Sequence, residues 1–215
     1  MSGKIITIAQ QKGGSGKTTI AAHLAVALTR RGDYPVAILD VDPQGSLGSW
    51  FEMREEMLGE SETGLSFRTS SGWGVRREAR NLARDHGIVI VDTPPKTDSD
   101  VKPAIEIADL VLVPIQPTPV DLWATDRTLD IADRERSPAL LVFNRVPPRA
   151  ALTQEMLDAI NESSLPLAKS RIGNRTAYAS SMGKGKTAIE TEPSSKASAE
   201  ASALTEEILA RLLSG

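Results

Sequence analysis

The sequence contains no cysteine among its 215 residues. This absence excludes disulfide bonds, thiolate-ligated metal ions and cysteine-held iron–sulfur clusters. Carriers that hold a metal cargo through cysteines are excluded for the same reason. A chain without cysteine fits a reducing compartment, and we expect a cytoplasmic protein.

Long hydrophobic runs are also missing. No apolar stretch approaches the ~20 residues needed to span a bilayer. Residues 1–9 pass directly into a strand pattern, so we expect no signal peptide. The formal net charge is only −3 and the pI is about 5.5. Any binding of nucleic acid must therefore depend on a local basic patch rather than on the field of the whole molecule.

The remaining composition is that of an ordinary globular protein, with 40% hydrophobic and 25% charged residues. Apolar strand patterns alternate with helix patterns, which predicts one α/β domain over residues 1–215 with a mostly parallel twisted sheet and helices on both faces. The predicted strands are 5–8, 36–40, 65–69, 88–91, 110–114, 140–143 and 165–172. The predicted helices are 18–31, 46–58, 75–86, 101–108, 122–134, 153–161 and a tail helix after Pro193. The charges of helix 75–86 are interpreted as a solvated face.

The most informative stretch is residues 5–19, IITIAQQKGGSGKTT, in which a strand pattern leads through a glycine-rich loop into a helix pattern. Glycines allow backbone N–H groups to face an anion, and the helix N-terminus adds partial positive charge. Lys17 can reach the β- and γ-phosphates of a nucleotide, and the Thr18 hydroxyl can ligate Mg²⁺. The predicted nucleotide-binding residues of this stretch are Lys12, Gly13, Gly14, Ser15, Gly16, Lys17, Thr18 and Thr19.

The loop departs from the common pattern G-x-x-x-x-G-K-[ST], because Gln11 stands where the first glycine is required. The pattern that fits is K-G-G-x-G-K-[ST], which begins at Lys12. In this respect the chain resembles the deviant Walker A ATPases, the ParA/MinD superfamily. The resemblance implies that Lys12 crosses a dimer interface to the partner's nucleotide and that Lys12 and Lys17 are catalytic. The alternative is that Lys12 is a solvated loop lysine.

Two acidic segments follow the loop at the ends of predicted strands. Asp40 and Asp42 lie in DVDPQ, which resembles the family's D-x-D-P-Q segment, and Asp92 ends the apolar run IVIVD. By resemblance, Asp42 orients or activates the attacking water, whereas Asp40 and Asp92 support Mg²⁺ through water, near the Thr18 hydroxyl. The alternative for the first pair is a turn and a helix N-cap, and buried strands commonly end in aspartate.

Asn144 and Arg145 end the strand pattern LLVFNR, where relatives contact the adenine edge. An amide offers a donor and an acceptor, which suits a purine; a strand-terminating turn residue is the alternative. Residues 117–121 resemble the family's proline-rich segment at the nucleotide and the dimer interface.

The C-terminal region resembles the ParA branch, in which basic residues form a non-specific DNA surface. The matching positions are Arg175 and Lys196, with Arg171 and Lys184 nearby, and scattered solubilising charge is the alternative. The last helix carries an apolar stripe at helical spacing, which we expect to pack on the domain. The stripe consists of Ala203, Leu204, Ile208, Leu209 and Leu212. The polar face of this helix holds acidic residues, which disfavours a membrane anchor.

The resemblance implies an ATPase that uses ATP and Mg²⁺, forms a homodimer with ATP and binds DNA of the nucleoid without reading sequence. A ParB-like or cargo adaptor protein would stimulate hydrolysis, so that the ATPase positions a plasmid, a chromosome or a large protein cluster. Longer ParA proteins carry an N-terminal helix-turn-helix that binds an operator. No such pattern precedes the first strand here, so the chain resembles the small ParA type, and we expect no sequence-specific DNA binding. The alternatives are a MinD-like regulator on a membrane and a small-molecule ligase of the dethiobiotin synthetase type.

Overall fold

The computed structural model describes residues 2–95, 98–148, 151–162 and 165–213. Its centre is a sheet of six strands in the order β3-β2-β4-β1-β5-β6, in which every neighbouring pair is parallel. The strands are β1 (Lys4–Ile8), β2 (Val36–Asp40), β3 (Ser66–Thr69), β4 (Ile88–Asp92), β5 (Leu110–Ile115) and β6 (Ala139–Phe143). Valine, isoleucine and leucine dominate the central strands, as expected of a parallel sheet covered on both faces.

Helices connect the strands and cover the sheet. They are α1 (Lys17–Arg31), α2 (Ser46–Leu58), α3 (Val75–Asp85), α4 (Asp98–Glu106), α5 (Pro119–Trp123), α6 (Asp126–Arg134), α7 (Ala151–Glu162), α8 (Thr176–Met182), α9 (Ala188–Thr191) and α10 (Lys196–Leu213), with a short 3-10 turn at Glu60–Glu62. The α/β class and the parallel sheet with helices on both faces are confirmed.

Alternate residues of each strand enter different cores. Ile6, Ile38 and Ile90 face one layer with α1, α2, α8, α9 and α10. On the other face, the strand residues pack against α3 and α4 at one side of the sheet, and against α4, α6 and α7 at the other. Because successive side chains of a strand point to opposite faces of the sheet, one short apolar run supplies residues to the cores on both faces.

The strand register brings distant acidic residues together. Ile8 pairs with Asp92 across β1 and β4, and Asp40 pairs with Asp92 across β2 and β4. Both carboxylates therefore lie at the carboxyl edge of the sheet, beside the glycine-rich loop that follows β1. Ligands of open parallel sheets bind at this edge.

Two predicted elements are wrong. The expected helix 122–134 is two helices, because Thr118 caps an earlier start at Pro119 and the Thr125 hydroxyl donates to the carbonyl of Leu122, which interrupts the helical pattern. The expected strand 165–172 is reduced to one isolated bridge at Leu167, and a second bridge lies just after it at Gly173. Pro166 in this segment has no N–H to donate to a ladder. The short helices α8 and α9 were not predicted.

The tail helix α10 packs against α1, as expected. Leu204, Ile208, Leu209 and Leu212 are buried in the shared core, whereas Ala203 of the predicted stripe is exposed. Within the described ranges, none of the helices combines the length and the apolar character needed to cross a bilayer.

Candidate nucleotide site

The glycine-rich loop connects β1 to α1 and is open on its outer side. Gly14 and Gly16 have φ of +75° and +91°, a region that side chains rarely adopt. A Cβ added at Gly14 would meet nothing within 4 Å, whereas at Gly16 it would lie 2.1 Å from the Asn144 amide nitrogen. The loop is thus supported from behind and leaves room for a ligand in front.

Lys17 begins α1 and is buried at the base of the loop. Its ammonium Nζ donates to the main-chain carbonyl of Gln10 over 3.1 Å. Burial lowers the pKa of Lys17, and the nearby carboxylates of Asp92 and Asp42 act in the opposite direction. Among the described residues this carbonyl is the one hydrogen-bond partner of the buried ammonium, which is therefore well suited to an anionic ligand such as a phosphate.

Thr18 and Asp92 form the most direct contact between two predicted metal residues. The Thr18 hydroxyl donates to Asp92 Oδ2 over 2.6 Å. Asp92 is only 1% exposed, and its Oδ1 has no hydrogen-bond partner among the described residues. Burial raises the pKa of Asp92 to about 7, against the effect of the Thr18 hydrogen bond. A buried carboxylate with one unpartnered oxygen beside a hydroxyl fits Mg²⁺, which prefers oxygen ligands and keeps several waters.

The two aspartates after β2 have different surroundings. Asp40 is buried, and its two oxygens accept main-chain N–H groups of Asp42 and Gly48, each over 3.0 Å. Asp40 therefore holds the turn between β2 and α2. Asp42 is half-buried, and its Oδ1 accepts the N–H of Gln44 over 3.0 Å. The turn keeps the Asp42 carboxylate within electrostatic reach of Lys17.

Lys12 has a partner that sequence reasoning did not assign. Its Nζ lies 2.6 Å from Oδ2 of Asp121, in the first turn of α5. The same Oδ2 accepts the Thr118 hydroxyl over 2.6 Å, while the other oxygen of Asp121 is buried without a partner among the described residues. The segment T-P-x-D has the pattern of a helix start, which could have indicated a fixed carboxylate here.

Asn144 braces the loop. Its Nδ2 donates to the carbonyl of Ser15 over 2.7 Å, and its Oδ1 accepts the N–H of Arg145 over 2.9 Å. Arg145 has φ of +52°, as the turn after β6 requires. A cavity of about 260 Å³ opens next to this turn, lined by Thr19, Asn144, Arg145, Asn174, Arg175 and Tyr178.

The structure places the predicted DNA-binding residues in two settings. Arg171, Lys184 and Lys196 are exposed. Arg175 instead lies in the wall of that cavity, and its Nε donates to the Glu200 carboxylate over 2.9 Å. Its charge is thus shared with an acidic partner on α10.

The glycine-rich loop, Lys17 and the Thr18–Asp92 pair at the carboxyl edge of a parallel sheet define a nucleotide-binding P-loop domain. The chain belongs to the CobQ/CobB/MinD/ParA nucleotide-binding family, whose model matches residues 6–188.

Several relatives carry more specific names. The chain is 31% identical over 186 residues to maintenance of carboxysome distribution protein A of Halothiobacillus neapolitanus, a match that covers 84% of each chain. It is 30% identical over 182 residues to protein ParA of Rhizobium radiobacter, which covers 81% of this chain and 80% of the relative.

Solved structures show the same fold. The cell division ATPase MinD of Pyrococcus furiosus superposes with a TM-score of 0.81 at 22% identity, over 97% of this chain and 99% of that one. An ATP complex of a McdA variant from Cyanothece superposes with a TM-score of 0.78 at 18% identity, over 96% of both chains. The family and the nucleotide-binding fold are therefore established together.

Proposed function

We propose that this protein is a ParA-type ATPase that transfers the γ-phosphoryl group of ATP to water. The observation that carries the proposal is the Thr18–Asp92 hydrogen bond beside Lys17 at the mouth of the glycine-rich loop. Phosphoryl transfer depends chiefly on positioning and on stabilisation of charge. The loop N–H groups and Lys17 would hold the phosphates, and Mg²⁺ held near Thr18 and Asp92 would neutralise developing charge.

Asp42 is the residue we assign to the attacking water. Its carboxylate is partly exposed at the carboxyl edge of the sheet, whereas both oxygens of Asp40 are occupied by the turn. Asp42 can therefore orient a water molecule, and Asp40 acts on the site by holding the backbone around Asp42.

We further propose that ATP brings two copies together with Lys12 of each directed to the nucleotide of the other. Lys12 is 35% exposed and lies on the same rim as the nucleotide site. Val120 and Trp123 on the adjacent α5 are exposed apolar side chains. Exposed apolar groups next to a functional charge are typical of an interface.

In this proposal, the ATP dimer binds DNA through phosphates and is released when an adaptor protein stimulates hydrolysis. The relatives named for carboxysome distribution and for partition support a role in positioning a large cargo. The adaptor would select the cargo, which can be a plasmid, a chromosome or a protein cluster.

The matched variants Thr18→Val and Thr18→Ser test the ATPase. Valine keeps the shape of threonine but removes the hydroxyl, so Mg²⁺-dependent ATP hydrolysis should fall by roughly a hundredfold or more, whereas serine should retain most of it. The affinity for fluorescent ATP, measured with and without Mg²⁺, shows whether the loss of the hydroxyl also weakens Mg²⁺-dependent nucleotide binding. Hydrolysis that is unchanged in Thr18→Val would refute the assignment of the site, and stimulation by a small metabolite rather than by DNA and a protein would favour a ligase.

A further inference from the structure

Helix α3 carries an arginine stripe that the nucleotide site does not use. We call Arg77, Arg80 and Arg84 the α3 stripe. All three are exposed. At ~100° per residue they fall within an arc of about 60° and extend over about 10 Å of helix. The opposite face of α3, with Val75, Ala79, Leu82 and Ala83, is buried in the core.

The α3 stripe has no acidic partner in the described part of the chain. The ion pairs found there involve other basic residues, including Arg76, which pairs with Glu106 of α4. Glu78 and Asp85 of α3 lie about 100° around the helix from the stripe, on its flank. Three guanidinium groups are therefore presented together to solvent, in a chain whose net charge is −3.

Two neighbours extend this surface. Arg68 of β3 is exposed and pairs in register with Leu39, whose side chain lies in the core beneath α3. Residues opposite each other in adjacent strands point to the same face, so Arg68 is on the α3 side of the sheet. Trp73, just before α3, is 88% exposed.

We propose that the α3 stripe, with Arg68, is a binding surface for the phosphate backbone of double-stranded DNA. The planar guanidinium forks suit phosphate oxygens, and duplex DNA offers about one negative charge per 1.7 Å of axis to a stripe of this length. This inference rests on the proposed DNA binding but places it on α3, away from Arg171, Arg175, Lys184 and Lys196.

Other occupants fit the surface less well. The apolar residues of α3 are buried against the sheet, so the helix has no apolar face to insert into a bilayer. A protein interface would need an apolar centre, and Trp73 is the only large exposed apolar side chain among the described residues of α3 and its preceding loop. A polyanion that makes only charged contacts is the better match.

The nucleotide site and the surface are connected through α4. This helix follows the Asp92 loop along the chain, and its Glu106 pairs with Arg76 at the start of α3. Ala104 of α4 also lies in the core beneath α3, so packing as well as this ion pair joins the two helices.

The test compares Arg77→Ala/Arg80→Ala/Arg84→Ala with Arg30→Ala/Arg127→Ala/Arg134→Ala. The second variant removes the same charge from exposed arginines that have no ion pair in the described structure. Binding of a short labelled duplex of arbitrary sequence is measured by fluorescence anisotropy with Mg²⁺-ATP over a range of salt concentrations. Basal ATP hydrolysis should be unchanged in both variants, which confirms that they are folded.

We expect the α3 variant to bind DNA roughly tenfold or more weakly and to reduce the slope of log affinity against log salt by about two to three. The control should stay close to wild type. If the α3 variant binds DNA with wild-type affinity and Arg171→Ala/Lys184→Ala/Lys196→Ala does not bind, the protein binds DNA but the α3 stripe is not the binding surface. If the α3 variant binds DNA normally but no longer responds to an adaptor protein, the proposal that the α3 stripe binds DNA would also be refuted. Absence of DNA binding by the wild type would refute the DNA-binding part of the proposed function itself.

Discussion

The ammonium of Lys12 lies 2.6 Å from a carboxylate oxygen of Asp121 in the same chain. The Asp121 side chain is only 2% exposed, and Thr118 donates to the same oxygen. Lys12 must leave this carboxylate if it is to reach the nucleotide of a second copy. The pair therefore stabilises the conformation of the separate chain, and in the proposed dimer its loss would be part of the free-energy cost of association.

Asp121→Asn should lower that cost. Asparagine keeps the size and an acceptor for Thr118 but removes the charge that holds Lys12. A partly exposed ion pair is worth about 1 kcal/mol, and each dimer would break two such pairs, so the ATP dimer should form at roughly thirtyfold lower protein concentration. Light scattering or analytical ultracentrifugation with an ATP analogue measures the change.

Lys12→Ala is the matched comparison, because it breaks the same ion pair but removes the lysine that would cross. We expect it to remain monomeric with ATP analogue. Equal dimerisation of Lys12→Ala and wild type would refute the crossing of Lys12 and leave the ion pair as a purely local contact.

Asp42→Ala separates binding from hydrolysis. The Asp42 side chain accepts one main-chain N–H of the turn, from Gln44. In the proposed site Lys17, Thr18 and Asp92 would hold the phosphates and the metal, so ATP should still bind. Without a group to orient water, turnover should fall by about a hundredfold and the ATP dimer should persist. Single-turnover hydrolysis and size-exclusion chromatography measure both effects. Wild-type turnover in this variant would remove Asp42 from catalysis.

Much of the site could be predicted because its signals are local or follow from the parallel sheet. The strand–loop–helix pattern of residues 5–19 indicates the phosphate loop directly. Thr18 and Asp92 are 74 positions apart, yet each follows or ends a strand at the same edge, so their meeting is a consequence of parallel strands.

The remaining contacts depend on tertiary packing. Lys12 and Asp121 are 109 positions apart, and their contact requires a five-residue helix that hydrophobic periodicity does not indicate. Asn144 reaches Ser15 across 129 positions. In residues 165–172 the apolar pattern suggests a strand, but Pro166 prevents a continuous ladder.

Asn144→Ala tests whether Asn144 contacts the nucleotide base or only supports the glycine-rich loop. The side chain of Asn144 is buried and its amide is already hydrogen-bonded to Ser15 and Arg145. Its removal should weaken ATP and GTP binding by similar factors, on the order of tenfold, because the loss of a buried hydrogen bond costs about 1–3 kcal/mol. Competition with fluorescent ATP gives both affinities. A selective loss of preference for ATP over GTP would show that Asn144 contacts the base.

His23 lies in α1, one turn after the phosphate loop, and links this helix to α9. Its Nδ1 donates to the carbonyl of Thr19 over 2.8 Å, and its Nε2 accepts the N–H of Ala188 over 3.0 Å. The ring also packs edge-on against Tyr178, at 4.9 Å between ring centroids. These contacts require the neutral ring, because a protonated Nε2 would face the N–H of Ala188 with a second donor.

Burial lowers the pKa of His23 from 6.5 to about 4, although Thr19 and Glu190 act in the opposite direction. In the unfolded chain the ring takes up a proton near pH 6.5, so this contribution to stability is complete above that pH and is lost as the pH falls towards 4. The loss should be on the order of 2–3 kcal/mol. His23→Gln should be less stable than wild type at pH 7.5, and the difference should shrink at pH 4.5. Urea unfolding across this range measures the change, with His86→Gln as the control for removal of the other histidine. Parallel pH profiles for wild type and His23→Gln would show that His23 does not set the acid sensitivity of the fold.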